Sequence, residues 1–227
     1  VMHITENNNV SYLVGGKNIS IKPFPPFEKI ICEFLEDLSK ELRLKKTGNE
    51  YPDVAAFSFW CRRTNILKIR NEFEDGKVRL GLGLVLHITP SNIPTNFAYS
   101  FVFGLLSGNA NIIRLPSEKF GQIDIICLAI KKIIGNKKYH PLKNMNAIIR
   151  YDQSNEITSN LSENANARVI WSGDSTINTI KKFPTPLRSI DLTFADRYSI
   201  CIINSNEINK LDEKRLGILG KEFYNDT

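Results

Sequence analysis

The sequence predicts an α/β protein: a mainly parallel sheet with helices on both faces, preceded by two helices. Three observations carry this reading. From about residue 76 onward, short apolar runs alternate with stretches of helical periodicity, the order that βαβ units leave in a chain. Before that point stand an amphipathic helical pattern and a second helix opened by the Tyr51-Pro52-Asp53 entry signal. The chain has 227 residues, 42% of them hydrophobic, enough for a sizeable core.

The first 25 residues, running into Lys22-Pro23-Phe24-Pro25-Pro26, read as a partly extended lead-in. Phe27, Ile30, Ile31, Phe34, Leu35, Leu38 and Leu42 recur at helical spacing and mark a helix with one buried face. A second helix is expected over Val54–Arg70, with Asp53 placed to cap it. This lead-in and helical segment is assigned to 1–75, and the α/β domain to 76–227. Leu82–Ile88 reads as a strand. Pro94–Leu106 reads as a helix with Pro in its first turn and Gly108 after its end. Strands follow at Asn111–Leu115, Ala147–Tyr151, Arg168–Trp171, Leu187–Leu192 and Tyr198–Ile203, with helices at Glu118–Ile134, Glu156–Ser162 and Thr176–Lys182.

Composition narrows the function classes. Thirty Lys and Arg against 24 Asp and Glu give a formal net charge of +6. The basic residues come in scattered pairs such as Arg62-Arg63 and Lys131-Lys132, which favours solvated faces over a nucleic-acid surface. No apolar run approaches the roughly 18–20 residues of a membrane span, and VMHITENNN carries no secretory pattern. Cys32, Cys61, Cys127 and Cys201 are far apart, without CxxC spacing. That favours reduced thiols in a cytoplasmic protein and gives no metal site. All four cysteines are expected in apolar surroundings, where a thiol is a poor nucleophile.

Ligands of such sheets bind beyond the carboxyl ends of the strands. Three loops there carry polar sequences: His87–Pro94, Arg114–Glu118 and Trp171–Thr176. The last combines hydroxyl residues with Gly173 ahead of a helix, which offers free N–H groups to a phosphate or simply an N-cap by Ser172 or Asp174. Arg114 ends a buried strand and needs an anionic ligand or a carboxylate partner. Gly81-Leu82-Gly83-Leu84 is not a dinucleotide fingerprint, because it precedes the strand and lacks the third glycine.

Together these loops resemble the aldehyde dehydrogenase superfamily. Thr89-Pro90-Ser91-Asn92-Ile93-Pro94 is similar to its Pro-Trp-Asn-Phe-Pro motif, Gly108–Glu118 to its Gly-Asn-x-x-x-x-Lys-Pro-Ser-Glu stretch, and Trp171–Thr176 to its Phe-Thr-Gly-Ser-Thr turn. Tyr51–Asp53 through Phe59–Arg62, His87–Glu118 and Trp171–Ser199 resemble more closely its acyl-CoA reductase branch, the LuxC-like fatty-acid reductase of bacterial luminescence.

The resemblance implies a Rossmann-like nucleotide-binding domain and an NADPH (NADP)-dependent oxidoreductase that reduces an acyl-CoA or other acyl thioester to the fatty aldehyde. It implies that Asn92 holds an oxyanion, and that Thr89, Pro90, Ser91, Arg114, Ser117, Glu118, Ser172, Gly173 and Ser175 contact the cofactor. Arg114 stands in place of a lysine, which suits a 2′-phosphate. Leu115 is an insertion, and Asp191-Leu192-Thr193-Phe194 replaces Glu-Leu-Gly-Gly, leaving Asp191 as a second catalytic candidate. None of the four cysteines fits the family nucleophile, so the chain is expected to be truncated before it and inactive alone. The full-length protein leaves room for a homo-oligomer. Alternatives are an aldehyde or acyl-phosphate dehydrogenase of the superfamily, and a non-catalytic basic α/β binding module.

Overall fold

In the computed structural model, residues 1–4, 9–44, 50–152, 154–195 and 200–226 are described. Val1–Asp196 form one compact unit and Arg197–Thr227 a second.

A six-stranded sheet organises the first unit. Its strands are β2 (Ser11–Val14), β4 (Leu84–Ile88), β5 (Ala110–Leu115), β6 (Asn146–Arg150), β7 (Ala167–Trp171) and β8 (Ile190–Phe194), in the spatial order β2-β6-β5-β4-β7-β8. The five later strands are mutually parallel, and β2 is an antiparallel edge on β6. The predicted α/β architecture stands, with one addition: the lead-in contributes β2. The lead-in also forms a two-stranded ribbon of β1 (Met2–His3) and β3 (Asn18–Ile19).

Successive strand residues point to opposite faces, which divides the core in two. Ile113, Leu115 and Ile148 pack with α1 (Lys29–Leu44), α4 (Asn96–Leu106), α5 (Gly121–Ile134) and the short α6 (His140–Lys143). Leu84, Leu86, Ile112, Ile149 and Ile170 pack with α7 (Asn155–Ser162) and α8 (Asp174–Lys181). The α1 face predicted from spacing is buried at Ile31, Phe34, Leu35, Leu38 and Leu42. Phe27 lies ahead of that helix with φ +55.

The expected second helix is two helices, α2 (Pro52–Trp60) and α3 (Arg63–Phe73). At the break the hydrogen bonds are redirected. The Ser39 hydroxyl, from α1, donates to the Ser58 carbonyl at 2.6 Å, the acceptor that a continuing helix would offer to the Arg62 amide. Arg62 N–H turns instead to the Phe59 carbonyl, 3.2 Å away, and its backbone becomes extended.

Two glycines set how closely α4 approaches its neighbours. A Cβ on Gly104 would lie 2.0 Å from Asn111 Oδ1, so the helix sits directly on the sheet. Gly108 closes α4 in the left-handed region, at φ +78, as predicted from its position.

The second unit holds α9 (Ser205–Ile208) and α10 (Glu213–Asp226). The strand expected over Tyr198–Ile203 is not formed at Ile200–Ile203, which are exposed; its first two residues lie outside the described ones. Cys201 is therefore exposed, not buried as expected. An apolar run alone does not make a strand when no neighbour supplies the ladder. Among the described residues no helix is long and apolar enough to cross a membrane.

Candidate functional site

From β4 the chain moves to β5 and β6 on one side, then crosses back to β7 and β8 on the other. The first two crossovers run through α4 and α5 on one face, the later two through α7 and α8 on the other. The loops leaving β4 and β7 therefore diverge to opposite faces and open a crevice at their carboxyl ends, where open α/β sheets take ligands.

Thr89, Pro90, Ser91 and Asn92 form the β4 side of the crevice. The Thr89 amide and hydroxyl both donate to the Arg114 carbonyl, at 3.3 and 2.9 Å, tying this loop to the end of β5. Ser91 and Asn92 are exposed. Among the described residues nothing bonds the Asn92 amide. Nor is Asn92 spent on the helix that follows: Thr95 occupies the N-cap of α4 and no side chain caps it.

Arg114 is half-buried at the end of β5. Its guanidinium lies over the Tyr151 ring, 5.4 Å from the centroid, and no described carboxylate forms an ion pair with it. Ser117 and Glu118 follow in an exposed loop; α5 starts at Gly121, so Glu118 is three residues ahead of the helix where it was expected to begin it.

Across the crevice, α8 starts at Asp174 with Gly173 as its N-cap and no side-chain cap. Neither Ser172 nor Asp174 takes the capping role, so first-turn N–H groups remain without a side-chain partner. Asp174 and Ser175 are exposed in that first turn. Trp171 stacks on Phe194 with centroids 3.8 Å apart and planes 7° off parallel.

Asp191 is separated from this cluster. It is the second residue of β8 and pairs in register with Arg168, toward the amino end of the sheet. Trp171 and Phe194, at the carboxyl end, lie three residues further on, about 10 Å away at strand spacing. Both Asp191 oxygens accept from Arg168, at 2.7 and 2.8 Å, and Arg168 also donates to the Ile180 carbonyl at 2.8 Å. A carboxylate clamped this way has a structural partner, and the expected catalytic role does not fit its placement.

Residue spacing carries no sign of a buried polar chain on the α4 face. Trp171 Nε1 donates to Ser100 Oγ at 3.3 Å, Ser100 bonds His87 Nδ1 at 2.8 Å, and His87 Nε2 lies 3.0 Å from Asn111 Oδ1. The Asn111 amide donates to the Asn109 carbonyl and to Asn146 Oδ1, so its oxygen receives a proton from His87 Nε2. His87 is thereby the Nε2–H tautomer, accepting from the Ser100 hydroxyl. Burial depresses its pKa to about 4. Beside this chain an open, mainly apolar groove of about 640 Å³ runs along Val85, Phe103, Val169, Leu192 and Phe194.

Burial pushes the Cys127 thiol up to about 12 and Cys61 further still. The half-buried Cys32 is raised by the same cause and donates to the Phe27 carbonyl. Cys201 is exposed, with no base or cation bonded to it among the described residues.

The sequence matches the family described as "Acyl-CoA reductase (LuxC)" over residues 38–216. No curated protein matches it. Among solved structures it is similar to the salicylaldehyde dehydrogenase of Pseudomonas putida complexed with salicylaldehyde, with a TM-score of 0.52 and 11% identity over 74% of this chain and 39% of that one. It is also similar to a glyceraldehyde-3-phosphate dehydrogenase of Methanocaldococcus jannaschii complexed with NADP, with a TM-score of 0.51 and 16% identity over 74% and 41%. These likenesses show an aldehyde dehydrogenase-type fold. The chain spans about two-fifths of the length of those structures.

Proposed function

The chain belongs to the acyl-CoA reductase (LuxC) family, and from that premise we propose that it carries the dinucleotide-binding part of an enzyme that reduces an acyl-CoA to the aldehyde with NADPH. The observation that carries the cofactor assignment is Arg114: a guanidinium at the crevice of the sheet, seated on an aromatic ring and free of any described carboxylate. A charge so placed suits the 2′-phosphate that distinguishes NADPH from NADH.

The residues present fit such a cofactor. Ser172, Gly173 and Ser175, at the uncapped start of α8, are assigned to the pyrophosphate and nicotinamide side. Ser117 and Glu118 are assigned to the adenosine ribose, and Thr89, Pro90 and Ser91 to the wall opposite. When bound, NADPH supplies the hydride.

Asn92 is assigned to the oxyanion. Its amide is free to donate to the negative charge that develops on the acyl oxygen, and a fixed donor of this kind lowers a barrier by about 3–4 kcal/mol. The acyl-accepting thiolate is assigned to none of the four cysteines: Cys61 and Cys127 are buried, and Cys32, half-buried, is raised by the same desolvation. Asp191 is assigned to the ion pair with Arg168. Hydride delivery to the acyl group needs no carboxylate to activate water.

Calorimetric titration of the chain with NADPH and NADH tests the cofactor reading. Tighter binding of NADPH is expected, with a preference that falls about 10- to 100-fold in Arg114→Ala, the worth of a lost charge-assisted hydrogen bond. Binding of neither nucleotide, or a preference untouched by Arg114→Ala, overturns it. Assays of the full-length protein on acyl-CoA, acyl phosphate and free aldehyde test the substrate; fastest turnover is expected with acyl-CoA.

A further inference from the structure

Tyr151 follows β6 directly, has 2% of its surface exposed and packs among the apolar residues between the sheet and α7. Its ring is held at both ends. The ring face lies under the Arg114 guanidinium. At the far end its hydroxyl is 3.1 Å from Thr158 Oγ1, and Thr158 spends its own proton on the Ser154 carbonyl, 2.8 Å away. The Tyr151 hydroxyl is therefore the donor to Thr158. Ser154 in turn caps α7, its side chain accepting from the Ile157 amide. An arginine side chain without an ion pair samples many rotamers, and fixing it on binding costs entropy. A ring face at this distance attracts a guanidinium and limits that sampling before any ligand arrives.

We propose that Tyr151 is a positioning residue for nucleotide discrimination: a ring platform, packed between the sheet and α7, whose face holds the Arg114 guanidinium ready for the cofactor's 2′-phosphate. This rests on the NADPH reading given above and goes beyond it by naming the device that sets the preference. Nothing in the local sequence marks the pair. Arg114 and Tyr151 are 37 positions apart and meet because β5 and β6 are register neighbours, with Arg114 opposite Ile149.

The test compares affinities of the 227-residue chain for NADPH and NADH across four proteins: wild type, Arg114→Ala, Tyr151→Leu and Tyr151→Phe. Tyr151→Leu removes the ring and keeps an apolar filling; Tyr151→Phe keeps the ring and removes only the hydroxyl. The NADPH-over-NADH ratio is expected to fall about threefold to tenfold in Tyr151→Leu, the worth of one cation–π contact, and to stay within about twofold of wild type in Tyr151→Phe. A role confined to packing would weaken both nucleotides equally and leave the ratio alone. If Arg114→Ala lowers the ratio and Tyr151→Leu does not, the platform is refuted while the NADPH reading survives. If Arg114→Ala also leaves the ratio unchanged, the reading itself fails and the platform with it. Should Tyr151→Leu not fold, a ratio in Tyr151→Phe reduced as far as in Arg114→Ala refutes a role for the ring, and a retained ratio supports it.

Discussion

Replacing Asp191 with alanine strands a buried cation, and the cost can be worked from the geometry. The Arg168 side chain is 3% exposed and makes two bonds to Asp191, at 2.7 and 2.8 Å. Without Asp191 it keeps the Ile180 carbonyl at 2.8 Å and a long contact of 3.4 Å to the Phe183 carbonyl. Removing one partner of a buried pair costs about 3–5 kcal/mol, because an uncompensated charge remains. The Asp191 side chain is 22% exposed, so water reaches the gap and the low end, about 3 kcal/mol, is expected. With a urea slope of about 2 kcal/mol per molar, the unfolding midpoint falls by about 1.5 M. Circular dichroism during urea titration measures this. Pairing Arg168→Met with Asp191→Leu should return most of the loss, since an apolar pair of similar volume can replace a buried ion pair. NADPH affinity below the transition is expected to be unchanged. A midpoint shift under about 0.5 M, or activity of the full-length enzyme abolished with the midpoint unmoved, would refute the structural reading and return Asp191 to proton transfer.

Two further outcomes follow from buried groups. His87 has a folded-state pKa near 4 against about 6.5 when unfolded, so the unfolded chain binds the extra proton between these values. Stability from this group is complete above about pH 6.5 and is lost as pH falls toward 4, by about 3 kcal/mol in all. Replacing His87 with glutamine should flatten that slope of the urea midpoint against pH. In a thiol-labelling experiment at pH 8 read by mass spectrometry, Cys201 is expected to react in the native protein, whereas Cys61 and Cys127 react only after denaturant is added. Native labelling of Cys61 would show that the α2 packing opens readily.

The helices and strands from residue 82 to 194 were largely legible, because their periodicity is a local property of the chain. Gly108 ending α4 and the apolar stripe of α1 were legible for the same reason. The loop carrying Asn92 and the strand-end position of Arg114 were legible too, since a motif and a strand end are read within a dozen residues. The strand order was not, because nothing local says that β7 returns to lie beside β4 or that Ser11–Val14 joins the edge. The α2–α3 break was hidden because the group that takes up the Ser58 carbonyl there, Ser39, stands on another helix.

The same limit governs the site. The sequence by itself determined which polar residues cluster at strand ends, and its family resemblance determined the chemistry to expect of them. Only the tertiary structure decided that Arg114 rests on Tyr151 without a carboxylate, that Asp191 answers Arg168, and that His87 is spent on Ser100 and Asn111. Each of those pairings joins residues 13 to 37 positions apart, and a charge or hydrogen bond acts over a few ångströms of space. Strand register and helix docking bring the partners within that distance, and neither is written in the spacing of the residues themselves.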